Sequence, residues 1–334
     1  MTDPLIHTRK VTGFVRDPLP TTGALSLKSV NARHHNIKQN NLKIINFAAF
    51  RNCDLQGDLD LPSAYVVADY AFAGNEDLTS ISLPDTLQSI GAYAFEDCEK
   101  LSQVDIAAKV VKFGVYAFKG CASLTKFDVN TSLIPAGMFY MCKNLTEVTI
   151  GPDVNSINEF AFNGTNISNY VVLEGNTAFK VQNEDYIVSA DGTQLIAVAP
   201  NVRGKITAAD FGDNTITTIG RGAFSHNLKI TSISLPDVTY VGAYAFGYYD
   251  ETQPNTRSSV ASVTLGKLTY IGEYAFYGTQ ITEMPNFDAN KHWAMAALEL
   301  AFNNISMKDK NDTKPYLEKL EELTKELDSY ISKK

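Results

Sequence analysis

The stretch Ile90-Gly91-Ala92-Tyr93-Ala94-Phe95-Glu96-Asp97-Cys98-Glu99-Lys100-Leu101-Ser102-Gln103-Val104-Asp105-Ile106 decides the fold, because its phrase returns along most of the chain. The anchor of the phrase is an Ala-Phe pair. An aliphatic residue stands five places before the Phe, and others follow at plus six, plus nine and plus eleven. The anchors Phe50, Phe72, Phe95, Phe118, Phe139 and Phe162 are separated by 22, 23, 23, 21 and 23 residues. Phe224, Phe246 and Phe276 resume the series after a gap. A period in the low twenties is the signature of a solenoid, which grows by adding turns that touch only their neighbours.

Within each copy the end of the phrase, such as Ile81-x-Leu83 or Val148-x-Ile150, alternates with period two, as a strand does. Strands that recur once per turn lie parallel. Pro84, Pro152 and Pro236 end them, because proline lacks the amide a ladder needs. The next piece, such as Leu87 to Gly91, returns along the opposite side. Gly91, Gly114, Gly220, Gly242 and Gly272 follow the minus-five residue, which predicts a positive φ or a close backbone approach. Cys53, Cys98, Cys121 and Cys142 each lie three residues after an anchor, where Asn75, Thr165, Asn227 and Thr279 stand in other copies. A slot shared by Cys, Asn and Thr predicts small, buried, reduced side chains rather than a zinc site, since no paired C-x-x-C or His accompanies them.

The phrases Ile90-Gly-Ala-Tyr-Ala-Phe-Glu-Asp-Cys98, Phe118-Lys-Gly-Cys-Ala-Ser-Leu124 and Ile271-Gly-Glu-Tyr-Ala-Phe276 resemble the BspA-like class of leucine-rich repeats, over about residues 42 to 287. The resemblance implies an α/β solenoid: a right-handed leucine-rich-repeat superhelix with a parallel β-sheet, a β-hairpin insertion and C-terminal helices. It also implies a non-catalytic bacterial or protozoan protein, at the cell surface or secreted, that adheres to host matrix proteins or to other cells. The opening Met1-Thr2-Asp3-Pro4-Leu5 shows no basic region followed by an apolar core. A cytoplasmic scaffold is therefore the alternative expectation.

Four segments follow from the pattern, the second with two insertions. Residues 1–41, with Pro4, Pro18, Pro20 and the pair His34-His35, fall outside the repeat and are expected to cap it. Residues 42–287 form the solenoid. An insertion at about 170–212 carries apolar runs at Tyr186 and Leu195 around Asp191-Gly192, a strong hairpin signal. A loop insertion at 247–259 carries Tyr248, Tyr249 and Arg257, residue types favoured at contacts. Residues 288–307, with Trp293, read as a helical cap. Residues 308–334 read as a helical tail whose Tyr316, Leu320, Leu323, Leu327 and Tyr330 make a heptad seam suited to self-association.

Composition narrows the function. The formal charge of -8 and pI near 5.2 argue against a nucleic-acid partner. No apolar run reaches the roughly 18 residues of a membrane span. Phosphate-loop, serine-elbow, zinc-protease and EF-hand motifs are absent, and the five histidines are scattered, so no catalytic residue, metal or cofactor is expected. The outward positions of the strands are the candidate site. At plus eight these include Asp58, Gln103, Lys126 and Glu147; at plus ten they include Asp60, Asp105, Asp128 and Thr149. Asp105 is expected beside Asp128, about 4.8 Å away across the ladder. This acidic half suits a protein or glycan partner, host extracellular matrix among them. Because the tail shares no position with the repeat, deleting residues 309–334 is expected to shift the thermal transition by only a few degrees, as calorimetry would read.

Overall fold

The computed structural model of the protein describes residues 43–106, 112–247 and 258–281, and the backbone strand Ile37–Lys38. The helical cap at 288–307, the tail at 308–334 and the loop residues Tyr248, Tyr249 and Arg257 lie outside the described residues. Parallel strands form one face. Ile37–Lys38, Gly57–Asp60, Leu78–Leu83 and Gln103–Ile106 make a four-stranded sheet. Lys126–Val129, Glu147–Ile150 and Asn169–Val172 make a second, and Gly204–Thr207, Ile230–Leu235 and Ser262–Leu265 a third. Ile37 pairs with Leu59, so the parallel face extends into the segment read as a cap.

The return arms are two-residue strands, beginning with Ile44–Ile45, Val66–Val67, Ser89–Ile90 and Lys112–Phe113. Among the described residues there is no α-helix. The expected C-terminal helices lie outside them, and the described part of the chain is a parallel-strand β-solenoid, with the 3-10 turn Ala208–Phe211 as the one helical element among the described residues. The reason lies in the length of the arm: six or seven residues between the return strand and the slot after the anchor are too few for a stable helix.

Those residues form an arch around each anchor. The residues two before and two after the Phe are left-handed: Tyr93 (φ 56°) and Asp97 (φ 55°) around Phe95, Tyr116 (φ 57°) and Gly120 (φ 73°) around Phe118. This alternation turns three amides toward the next turn. Tyr93, Phe95 and Asp97 donate to the carbonyls of Val115, Ala117 and Lys119 at 3.0, 2.9 and 2.7 Å. The Phe side chains point inward and stack, with centroids 5.3 Å apart for Phe50–Phe72, 5.4 Å for Phe72–Phe95 and 5.5 Å for Phe95–Phe118. Phe95 and Phe118 are fully buried. Burying one such ring is worth about 2–3 kcal/mol, and stacking adds about 1 kcal/mol.

The slot three residues after the anchor does more than pack. The thiols of Cys98, Cys121 and Cys142 donate to the carbonyls of Phe72, Phe95 and Phe118 at 3.4, 3.2 and 3.1 Å. Asn75 donates to Phe50 and Phe72 carbonyls, and Thr165 and Thr279 donate to the carbonyls of their own anchors, Phe162 and Phe276. The slot therefore selects a small donor. All four cysteines are free, three of them buried and Cys53 half-buried. Burial pushes the Cys98 thiol up to about 12 from 9.0.

The recurring glycines answer to close approach, not to φ. A Cβ at Gly114 would lie 2.2 Å from the amide nitrogen of Ala92, and one at Gly272 would lie 2.2 Å from that of Ala243. Gly114→Ala is expected to cost about 3 kcal/mol or more, read as a lower urea midpoint, because backbone on the neighbouring turn must move. For the thiols, native labelling at pH 8 should count one reactive group, Cys53, against four after denaturation. A thiol whose pKa is raised in the folded state favours the unfolded state once the unfolded thiol ionises. Stability should thus hold below about pH 9 and fall as pH rises toward 12, as alkaline melts would show.

Candidate functional site

The strand face follows the expected alternation, with Lys126 and Asp128 exposed between buried Phe127 and Val129. The acidic column is not continuous. Asp105 pairs with Ser82, and Asp128 pairs with Thr149, in two separate sheets. The expected Asp105–Asp128 neighbours are therefore not a ladder pair. Two extra rings explain the parting. Phe113 and Phe127 stand where other turns carry Ile or Val, and Phe127 packs 5.1 Å from Phe118 and 4.9 Å from Phe139. Val104 and Ile106 on the adjoining strand are correspondingly only half-buried, whereas Ile81 and Leu83 one turn earlier are buried.

Several of the outward groups are already partnered. Asp58 accepts from Ser80 Oγ at 2.6 Å and Thr79 Oγ1 at 3.2 Å. Lys126 Nζ pairs with Glu147 Oε1 at 3.0 Å. Gln103 lies level with Ser80, and Asp60 with Ser82. Asp58, Asp60, Asp105 and Asp128 thus carry the unpaired acidity of the face, with hydroxyls between them.

A second surface was not legible from periodicity. On the back of the molecule, Phe179–Gln182, Tyr186–Ser189 and Gln194–Val198 form an antiparallel meander, whose last strand pairs parallel with Thr218–Ile219. Asp191 Oδ1 closes its turn by accepting from Ser189 Oγ, Thr193 N and Thr193 Oγ1 at 2.6, 3.0 and 2.8 Å. Val198 N donates to the carbonyl of Ala223 at 3.0 Å, the bond an anchor Phe makes in other turns. On the outer side of the arch, the Phe162 and Phe224 turns then meet directly. Asn163 Nδ2 donates to Ser225 Oγ at 2.9 Å, and Arg221 pairs with Glu159 at 3.3 Å. Residues 62 apart in sequence are neighbours here.

The meander adds chain on one side of the axis and none at the outer arch, so it acts as a wedge. A cleft of about 660 Å³ lies on the closing side. Tyr93, Tyr116 and Tyr140 line it from before the joint, and His226, Tyr244 and Tyr277 from after it. Tyr140 meets His226 edge-on at 5.4 Å, and Phe160 meets Tyr244 edge-on at 5.1 Å. Tyr70, Tyr93 and Tyr116 stack in a row at 4.8 and 5.1 Å. Burial first, then the phenols on either side, push the Tyr93 hydroxyl up, and burial does the same for Tyr116 and Tyr244. These groups remain protonated donors at neutral pH.

Short parallel strands stacked once per turn over a ladder of buried Leu, Ile and Phe define a leucine-rich-repeat solenoid. The family model described as the BspA type leucine rich repeat region matches residues 65–183 and 204–299, and the chain belongs to that family. Binding, adhesion and surface roles are consistent with that family, whose proteins are generally non-catalytic. Among solved structures, a leucine-rich repeat protein from Eubacterium ventriosum is 20% identical, with a TM-score of 0.52, over 69% of this chain and 59% of that one. A leucine rich cell surface protein from Faecalibacterium prausnitzii is 19% identical, with a TM-score of 0.49, over 73% and 67%. At 20% identity the likeness to the Eubacterium ventriosum protein is one of fold. Separately, 33 residues, 10% of this chain, are 94% identical to 3% of the bifunctional glutamine synthetase adenylyltransferase/adenylyl-removing enzyme of Corynebacterium efficiens. So short a share of that enzyme shows nothing about activity in this chain.

Proposed function

We propose that the chain is a non-catalytic recognition module, displayed at the cell surface or secreted, that binds a protein or glycan partner in an adhesin role. One observation carries this reading: polar side chains project at fixed spacing from hydrogen-bonded strands whose alternate residues are buried. Such a face loses little conformational freedom when a partner docks. Its remaining acidic groups favour a basic partner, and a host-matrix protein is the class to test.

The nearest approach to a catalytic pair supports the non-catalytic reading. Ser225 adjoins His226 in the cleft, but its Oγ donates to the carbonyl of Gly247 at 2.6 Å. That proton is committed to a backbone acceptor, not offered to a base. Among the described residues, no three His, Cys, Asp or Glu side chains gather as a metal set, and no helix is long and apolar enough to cross a membrane.

The test is surface binding to immobilised matrix proteins, comparing the parent with the double variant Asp105→Asn, Asp128→Asn. Both residues are exposed and lie in separate sheets, so the thermal transition should stay within about 2 °C, a shift well under 1 kcal/mol. Association of a basic partner should slow several-fold at low salt and lose much of its salt dependence. Equal rates at every ionic strength would remove the strand face as the electrostatic site.

A further inference from the structure

We infer that the cleft at the joint between the Phe162 and Phe224 turns is a binding site for a neutral oligosaccharide of two to four hexose units. It is distinct from the strand face and does not depend on the role proposed there. The size fits: about 660 Å³ is within the range of small-ligand pockets and holds a few sugar rings.

Part of the wall's backbone is already bonded: the amides of Gly120, Met141 and Tyr244 are spent on the carbonyls of Tyr140, Asn163 and Glu273, at 2.8 to 2.9 Å. An extended peptide needs a free strand edge to replace the hydrogen bonds it gives up to bind, and none of the lining residues lies in a strand. Side chains do most of the recognising. Tyr93, Tyr116 and Tyr244 present apolar ring edges with protonated hydroxyls, and a sugar presents C–H patches flanked by hydroxyls.

Charge selects among glycans. Asp97 and Glu99 are two carboxylates in the lining, and Lys119 and Lys143 are two ammonium groups. Lys119 is also bound by Glu96 at 2.8 Å. With Glu96 counted, three carboxylates face two ammonium groups, so little field of one sign remains to attract a sulfated, sialylated or polycationic ligand. Mixed donors and acceptors in balance suit neutral hydroxyls.

The tyrosines are held at a cost. Tyr93, Tyr116, Tyr244 and Tyr274 sit at φ between 54° and 57°, where a bulky residue loses roughly 1–2 kcal/mol. At the same arch position Gly137 and Gly222 do the backbone's work with no such penalty. Tyr70 and Tyr274, outside the cleft, carry the same φ, so the left-handed position belongs to the arch and not to the cleft alone. It also supplies a clean variant, because Tyr→Gly at this position keeps the arch.

The experiment is saturation-transfer NMR and isothermal titration of the parent with maltotriose, cellotriose, mannotriose and lactose, with sialyllactose and tetralysine as charged controls. At least one neutral sugar should bind, with transfer from tyrosine ring protons and an affinity unchanged between about 0.05 and 0.5 M salt. Tyr244→Gly and, separately, Glu99→Gln should each weaken it about tenfold or more, a loss of about 1.4 kcal/mol. Glu99 is exposed and Glu99→Gln tests the site even if Tyr244→Gly unfolds. No saturable binding by any neutral sugar at about 10 mM, where a contact worth more than about 3 kcal/mol would show, overturns the proposal. So does binding unchanged in a folded Tyr244→Gly and in Glu99→Gln, or a preference for either charged control.

Discussion

Most turns of this solenoid are fastened to the next by a hydrogen bond from the anchor amide to a carbonyl at the entry to the following anchor. Phe50 to Ala71, Phe72 to Ala94, Phe224 to Ala245 and Phe246 to Ala275 all close at 2.7 to 2.9 Å. That bond sets the rise per turn on the arch side, and the parallel ladder sets it at about 4.8 Å on the strand side. Everything between the two must fit the same step. Stacked rings at 5.3 to 5.5 Å fit it with a slight offset. A small donor in the slot after the anchor fits it by tying off the carbonyl that the arch leaves open. A glycine before the arch fits it because the backbone of the neighbouring turn occupies the place of a Cβ.

Where the step is not met, surfaces of interest arise. Phe113 and Phe127 overfill one turn, and the sheet divides between Gln103–Ile106 and Lys126–Val129. The division takes Asp105 and Asp128 out of a common ladder. The meander diverts the carbonyl of Ala223 to Val198, and side chains must then join the Phe162 turn to the Phe224 turn. The cleft is the geometric result of that substitution.

The parts that the chain states in side-chain pattern were legible. Period, strand alternation and the Asp191-Gly192 turn depend on apolar spacing and on glycine, which are visible one residue at a time. The arch was not. Its left-handed positions carry Tyr70, Tyr93, Tyr116 and Tyr244, and a tyrosine gives no hint of positive φ. The glycines that drew attention to φ lie two residues earlier and have another reason to be there. The first strand of the meander, Phe179–Gln182, hid because its Lys180 and Gln182 break the apolar run. The cleft hid because Asn163 and Ser225 are brought together across 62 residues, and only the gap in the anchor series hinted that something was spliced there. The Asp105–Asp128 expectation failed on volume: ring size at Phe113 and Phe127 is written in the chain, but its effect on a neighbouring strand is a packing outcome.

The joint has a mechanical side. Elsewhere along the arch, tension between turns is shared among three backbone hydrogen bonds per step, as at Tyr93, Phe95 and Asp97. Between the outer arches of the Phe162 and Phe224 turns the bonds given are those of side chains, Asn163 to Ser225 and Glu159 to Arg221. Side-chain bonds rotate and stretch at lower cost than a backbone ladder. A pull along the axis meets few arch bonds at that step, where the meander's backbone bonds to Thr218–Ile219 and Ala223 share the load. For a tethered protein in moving fluid, that step would be the first to lengthen, and it would widen the aromatic cleft as it did so.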